Sequence, residues 1–332
     1  MLRFWKKKQK IIIGIHGVGN KPPERILRHW WEKSITEGLK RNGHRHVKFG
    51  FELVYWAHFL YSEPQQLRIR EKGNPLHVDD PYVPGPRQRA PNAPSHLRKR
   101  ILDVVEKFLD RIFLSEHRLI NVDSISDFII RTKFRDLDLY YHDANVGGTR
   151  PGFHARSQIR LALAQTLRKH KDDDILLIAH SMGSIVAYDV LTQEVPNVKI
   201  HTFVTLGSPL GLPAIMKRFF IDQKKDYRTA KQVPSPENIS CAWFNFADLE
   251  DRIAVNYTLA DDFAKNSRDI GPQDIIVNND YEFEGERNHH KAYGYLRAPE
   301  VAETIYRFLT EKEIKPFEAF KQTLRNFFRI NL

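Results

Sequence analysis

The run Asp174-Ile-Leu-Leu-Ile-Ala-His-Ser-Met-Gly-Ser-Ile-Val-Ala-Tyr-Asp-Val-Leu191 decides the fold. Its first half, Ile175 to Ala179, has the length and composition of a strand buried on both faces. Its second half places Met182, Ile185, Val186, Val190 and Leu191 close to helical period. Between them, Ala179-His180-Ser181-Met182-Gly183 sets a serine at a strand-to-helix turn, with a small residue two positions away on each side. So sharp a turn strains the serine backbone and brings neighbouring chain close beneath it, which only small residues allow. The turn exposes the Ser181 hydroxyl at the carboxyl edge of a sheet. The helix that begins there aims its free N–H groups at any oxyanion forming nearby.

A hydroxyl so placed is a nucleophile only if a base takes its proton and a carboxylate orients that base. Parallel sheets put such groups in the loops after their strands. The apolar run Cys241-Ala-Trp-Phe-Asn-Phe-Ala-Asp248 ends in Asp248, with Asp251 just beyond, and a later segment carries His289 and His290. The chain order serine, acid, histidine is thus met at successive strand ends. Two N–H donors complete such a site. Met182, the residue after the serine, supplies one. The glycine-rich loop His16-Gly17-Val18-Gly19-Asn20, after the strand Lys10 to Ile15, supplies the other. The same loop also reads as Gly-x-x-Gly-x-Gly, but Pro22 follows and no Gly-Lys-Ser/Thr does, which excludes a P-loop. As plain alternatives, Asp248 and Asp251 are helix caps and the two histidines are surface residues.

Around these motifs, strands alternate with helices. Helices are expected from Pro22 to Asn42 (apolar at Ile26, Trp30, Ile35 and Leu39), from Pro151 to Lys171 (Ile159, Leu161, Leu163, Leu167) and from Pro299 to Thr310. Strands are expected over Val47–Leu60, Val198–Leu206, Ile239–Phe246 and Asp274–Val277. This alternation predicts an α/β fold, a mostly parallel sheet with helices on both faces.

His16-Gly17, Ala179-His-Ser-Met-Gly183 and Leu206-Gly-Ser-Pro209 together resemble the α/β-hydrolases of the serine esterase and lipase type, in the branch of the GPI inositol-deacylase-like lipases. The likeness spans roughly residues 10–60 and 150–310, with Ala179 where the pattern has its first glycine and the fold's two usual leading strands absent. It implies an α/β-hydrolase fold with Ser181 as nucleophile and the N–H groups of Val18 and Met182 as the oxyanion hole. His16, Gly17, His180 and Gly183 support them. The family's Asp-Pro-Val and His-x-x-Tyr patterns favour Asp251 and His290 over the alternates Asp248 and His289. The implied activity is hydrolysis of a carboxylic ester, lipid-like or long-chain, through an acyl-enzyme. A thioesterase, an amidase or a non-catalytic membrane- or nucleic-acid-associated scaffold stands as the alternative.

The 332 residues, 41% of them hydrophobic, suffice for a large core. Residues 1–61 and 146–312 are assigned to the hydrolase core. Residues 62–145, proline-rich and then helical in period over Leu97–Phe113 and Ser124–Tyr141, form a lid insertion with a mobile entry. Residues 313–332 form an amphipathic helix with Phe317, Phe320, Leu324, Phe327 and Phe328 on one stripe. That helix docks on the body of the protein, on a second copy in a homo-oligomer, or on an anionic membrane. The net charge of +11 suits an anionic membrane or substrate, and no motif for specific nucleic-acid binding accompanies it. The single cysteine, Cys241, reads as a small buried hydrophobe and excludes an internal disulfide. Ile11 to Ile15 is too short for a signal peptide's apolar region, so the chain is expected to be cytoplasmic or membrane-peripheral. No metal or cofactor is expected, because His44-Arg-His46 lacks companion ligands.

Overall fold

The computed structural model describes residues 8–86, 135–142, 154–223, 232–254 and 256–310. Six strands form one wholly parallel sheet: β1 (Lys10–Ile15), β2 (Gly50–Val54), β3 (Asp174–His180), β4 (Ile200–Leu206), β5 (Ile239–Ala247) and β6 (Pro272–Ile276). Their spatial order is β2-β1-β3-β4-β5-β6. The chain moves one way from β1 to β2 and the other way from β3 onward. The order therefore reverses between β1 and β3, and at such a point the loops leaving two adjacent strands diverge and open a crevice.

Alternation along the central strands divides the core in two. Ile13, Ile15, Ile175, Leu177 and Ala179 face one side, where they meet α3 (Ala155–Lys169), α4 (Met182–Asp189) and α5 (Pro213–Asp222). Ile12, Leu176 and Ile178 face the other, covered by α1 (Glu24–Arg41), α6 (Ala292–Leu296) and α7 (Pro299–Thr310). Every residue of β3 after Asp174 is buried, as an unbroken apolar run between two helical layers must be. Full burial of each such Ile or Leu stabilises by about 1.5–3 kcal/mol.

Several expected features shift. The face of α1 is Leu27, Trp31, Ile35 and Leu39, one residue on from Ile26 and Trp30 at its start. On α3, Leu161 points outward at 42% exposure while Ala164 packs inward. The strand expected over Val47–Leu60 is only Gly50–Val54. Beyond it, the Trp56 backbone N–H bonds the His16 ring at 3.1 Å and the Trp56 indole N–H bonds the His16 carbonyl at 2.9 Å, so these groups leave the sheet ladder. Cys241 is half-buried rather than buried, because it lies where the β4–β5 register shifts by one residue.

The first part of the expected lid, residues 62–86, is strapped to α1, to Arg297 just after α6 and to the loop after β6. Tyr82 Oη and the Gly85 N–H both donate to Glu37, each at 2.9 Å, Arg297 donates to the Val83 carbonyl at 2.7 Å, and Tyr281 Oη donates to that of Pro81 at 2.6 Å. Of the helical pieces expected in the insertion, α2 (Arg135–His142) is described, with Leu137 and Tyr140 buried against the α3 side. The remainder of the insertion, including Leu97–Phe113, and the amphipathic tail lie outside the described residues. Among the described residues no helix is long and apolar enough to cross a membrane.

Candidate active site

Ser181 sits between β3 and α4 with φ 54° and ψ −130°, a left-handed backbone that a non-glycine residue adopts only when its surroundings hold it there. They do. The Ser181 N–H donates to the Leu206 carbonyl at the end of β4 (3.0 Å), and Ser184 Oγ donates to the Ser181 carbonyl (2.6 Å) while contacting Ser208 Oγ at 2.8 Å. Gly183 allows the elbow to press on β1: a Cβ there would stand 2.7 Å from the Ile15 carbonyl oxygen. Gly17 plays the same part in the facing loop, where a Cβ would lie 2.6 Å from that of Ser181. Ala179, in place of glycine, is simply the last inward residue of β3 on its face.

His290 Nε2 lies 2.8 Å from Ser181 Oγ, and its Nδ1 lies 2.8 Å from Asp251 Oδ2. The Asp251 carboxylate also accepts the Ile253 N–H at 2.8 Å and the Tyr295 hydroxyl at 2.7 Å. Burial pushes its pKa up, but His290, the Ile253 N–H and Tyr295 outweigh burial and leave it below the usual carboxylate value. The carboxylate is therefore ionised at neutral pH and holds an Nδ1–H on His290, which directs Nε2 to accept from the serine.

The alternates form a second, separate pair. His289 Nδ1 lies 3.2 Å from Asp248 Oδ2, and Asp248 accepts the N–H groups of Glu250 (2.7 Å) and Asn279 (2.6 Å). Asp248 thus closes the turn after β5 and ties in the loop after β6, and neither member of this pair bonds Ser181. Tyr295 joins the two pairs, accepting the Asp248 N–H at 3.0 Å while donating to Asp251. Nothing at the level of motif singles out Tyr295; it acts from the first turns after His290, where its ring is fully buried.

His16 and His180 are both buried and both neutral. The Trp56 N–H can only donate, so His16 Nε2 accepts and its Nδ1 donates to the Gly17 carbonyl at 2.8 Å. Burial first, then the charge of Lys21, holds its pKa well below the ordinary value. His180 Nε2 donates to the His290 carbonyl at 2.7 Å, and burial followed by the proximity of His290 depresses its pKa likewise. One histidine shapes the first loop, and the other supports the backbone of His290.

Val18 and Met182 stand as expected in the two facing segments, one in the loop after β1 and the other at the first position of α4. Among the described residues neither N–H has a protein acceptor. A cavity of about 540 Å³ opens beside Ser181 and His290. Its lining mixes apolar residues, among them Val18, Leu27, Trp30, Trp31, Val78 and Tyr293, with polar and charged ones, among them Asn20, Lys21, Asp80, Arg135 and Lys291. Lys21 lies half-buried beneath the first loop, its ammonium donating to the carbonyls of Val18 and, at 3.0 Å, Gly19. Burial and neighbouring Lys291 bring its pKa down to about 7, against the opposing pull of Asp136 and Asp80. Sequence reasoning passed over Lys21, Asp136 and Tyr295. Among the described residues no group of three or more His, Cys, Asp or Glu is placed to hold a metal ion, and His44 instead pairs with Glu303 at 3.1 Å and stacks on Tyr306.

Residues 155–294, which include the elbow, both acids and both histidines, match the model of the family described as PGAP1-like alpha/beta domain. Over those residues the chain is similar to that family, and the parallel sheet, its reversal point and the elbow stand beside the match. No curated protein matches this chain by sequence. A lipase-esterase related protein from Clostridium acetobutylicum aligns over 91% of this chain and 95% of its own, at 13% identity and a TM-score of 0.29. Likeness that loose adds nothing to the family match. Among the described residues the sheet begins, in chain order, at the strand that feeds the first loop.

Proposed function

We propose that the protein hydrolyses a carboxylic ester through an acyl-enzyme on Ser181. One observation carries the reading: the unbroken relay from Ser181 Oγ to His290 Nε2 and from His290 Nδ1 to Asp251, at 2.8 Å for each link. Ser181 Oγ attacks the ester carbonyl carbon as its proton passes to His290 Nε2. The charge on the carbonyl oxygen falls to the N–H groups of Val18 and Met182. Collapse expels the alcohol, which takes the proton from His290. Water, deprotonated by the same histidine, then adds to the acyl carbon, and the acid leaves as Ser181 recovers its proton.

The apolar lining residues Leu27, Trp30, Trp31 and Val78 support a lipid-like or long-chain ester, since they offer dry surface to an acyl chain. An approach to an anionic membrane through the aromatic tail is consistent with the net charge of +11.

Labelling of wild type and Ser181→Ala by a fluorophosphonate, with turnover of p-nitrophenyl esters from acetate to palmitate, tests the reading. Labelling confined to wild type, with turnover rising toward the longer chains, is the expected result. Equal labelling of both proteins, or none in the presence of liposomes, defeats the esterase reading and leaves a binding role for the scaffold. A preference for the acetate keeps the esterase and removes the lipid-like substrate.

A further inference from the structure

The loop after β1 is held from outside the core. The Gly19 N–H donates to Asp136 Oδ2 at 2.6 Å, and the other oxygen of that carboxylate, Oδ1, accepts the Tyr61 hydroxyl at 2.6 Å. Asp136 is only 2% exposed and sits in the first turn of α2, inside the inserted segment and 117 residues from Gly19 in sequence. The helix is itself fixed by Tyr140 Oη, which donates to Asp189 at the end of the elbow helix α4 at 2.7 Å. The inserted helix is therefore tied at two points: its first turn grips the loop next to Val18, and its later turn grips Asp189 at the last position of the helix that starts at Met182.

We propose that Asp136 is a positioning residue for catalysis, holding the Val18 N–H in register with that of Met182 by its bond to Gly19. This rests on the acyl-enzyme reading above. The reasoning is geometric. Gly19 has φ 88°, so the loop follows a path that its own sequence does not impose, and the Val18 peptide is set by whatever anchors its neighbours. Below, Lys21 takes the carbonyls of Val18 and Gly19; from the side, Asp136 takes the Gly19 N–H. An oxyanion donor displaced by an ångström loses most of its effect, because the charge it serves appears at one point only. Substrate binding on the cavity walls is far less sensitive to that displacement. The inserted segment thus completes the site as well as covering part of it.

The test compares wild type, Asp136→Ala, Asp136→Asn and Ser181→Ala with a p-nitrophenyl ester, together with the affinity of a trifluoromethyl ketone that fills the oxyanion hole. Asp136→Ala is expected to lose roughly 10- to 100-fold in kcat with KM within about twofold, and to bind the ketone more weakly by a similar factor. Asp136→Asn keeps an oxygen for Gly19 and an amide for Tyr61, so it is expected to recover to within about fivefold of wild type. If Ser181→Ala turns over like wild type, the acyl-enzyme reading fails and takes this one with it. If Ser181→Ala is dead but Asp136→Ala keeps kcat and ketone affinity within twofold, only the role of Asp136 is overturned. Should Asp136→Ala fail to fold, Asp136→Asn decides alone: a folded Asn variant as slow as the serine knockout overturns the bond, and near-wild-type values support it.

Discussion

The two halves of the candidate site are anchored differently. The acid–base half, Asp251 and His290, stands on loops after β5 and β6 whose polar groups are satisfied by the core: Tyr295, the Ile253 N–H and the Asp248 turn. The oxyanion half has one strand of the core behind it and is otherwise held by Lys21 beneath the loop and by Asp136 from the inserted helix α2. His290 is therefore oriented by groups that fold with the sheet. The loop proposed to stabilise charge is oriented by its neighbour Lys21 and by one carboxylate, Asp136, that arrives from a long insertion. On the proposed reading, disturbing the insertion is expected to spare the Ser181–His290 contact and to shift the loop at Val18 first.

The strongest way to break this comparison is to cut within the acid–base half. Asp251→Asn is expected to lower kcat by about 10⁴-fold, since the amide favours the wrong tautomer of His290, whereas Asp248→Asn stays within about tenfold. Steady-state kinetics on the same ester measures both; comparable losses would mean that the two Asp–His pairs are not functionally distinct.

Next comes Lys21, whose folded pKa of about 7 lies below its ordinary 10.5. Between these values the unfolded chain binds more protons than the folded one, so stability rises with pH through that window. A gain of at least about 1 kcal/mol between pH 7 and 9.5 is expected from urea denaturation of wild type, and Lys21→Met is expected to abolish it. A rise that persists in Lys21→Met would show that another group is responsible and that Lys21 is better solvated than its place beneath the loop implies.

The smallest effect concerns His180, which supports the His290 backbone from the elbow. Its pKa is held well below 6.5 by burial, so the folded state keeps it neutral while the unfolded chain protonates it. Its contribution is complete above about pH 6.5 and is lost as pH falls below that, with a limiting slope of about 1.4 kcal/mol per pH unit. In His180→Gln, the loss of stability between pH 7 and 5.5 should be shallower by up to that slope; an unchanged slope would place the acid sensitivity elsewhere, His16 being the first alternative.

Much of this was legible in the sequence because it rests on local pattern. The run Ile175–Ala179 can only be a strand between two layers, and the small residues around Ser181 follow from the strain of a sharp turn. The strand-end acids and histidines follow from the topology of a parallel sheet. Which acid and which histidine face the serine is a finer matter: Asp248 and Asp251, like His289 and His290, are separated by a turn or less, and the family pattern chose between them before any geometry did. Patterns failed where neighbours compete for one face. Trp30 and Trp31 are adjacent and equally apolar, and only the packing of Trp31 near Phe51, with ring centroids 6.1 Å apart, decides which goes inward.

The sequence by itself determined the α/β class, the elbow and the chemical types at the strand ends, because each depends on residues close together in the chain. Tertiary structure alone decided that Tyr295 joins Asp251 to Asp248, that Lys21 lies half-buried beneath the first loop, and that Asp136 reaches across 117 residues to Gly19. These contacts satisfy single polar groups in a crowded interior. A hydrogen bond between distant residues leaves no periodicity for a sequence to display; it exists only once the sheet has brought its partners within 3 Å of each other.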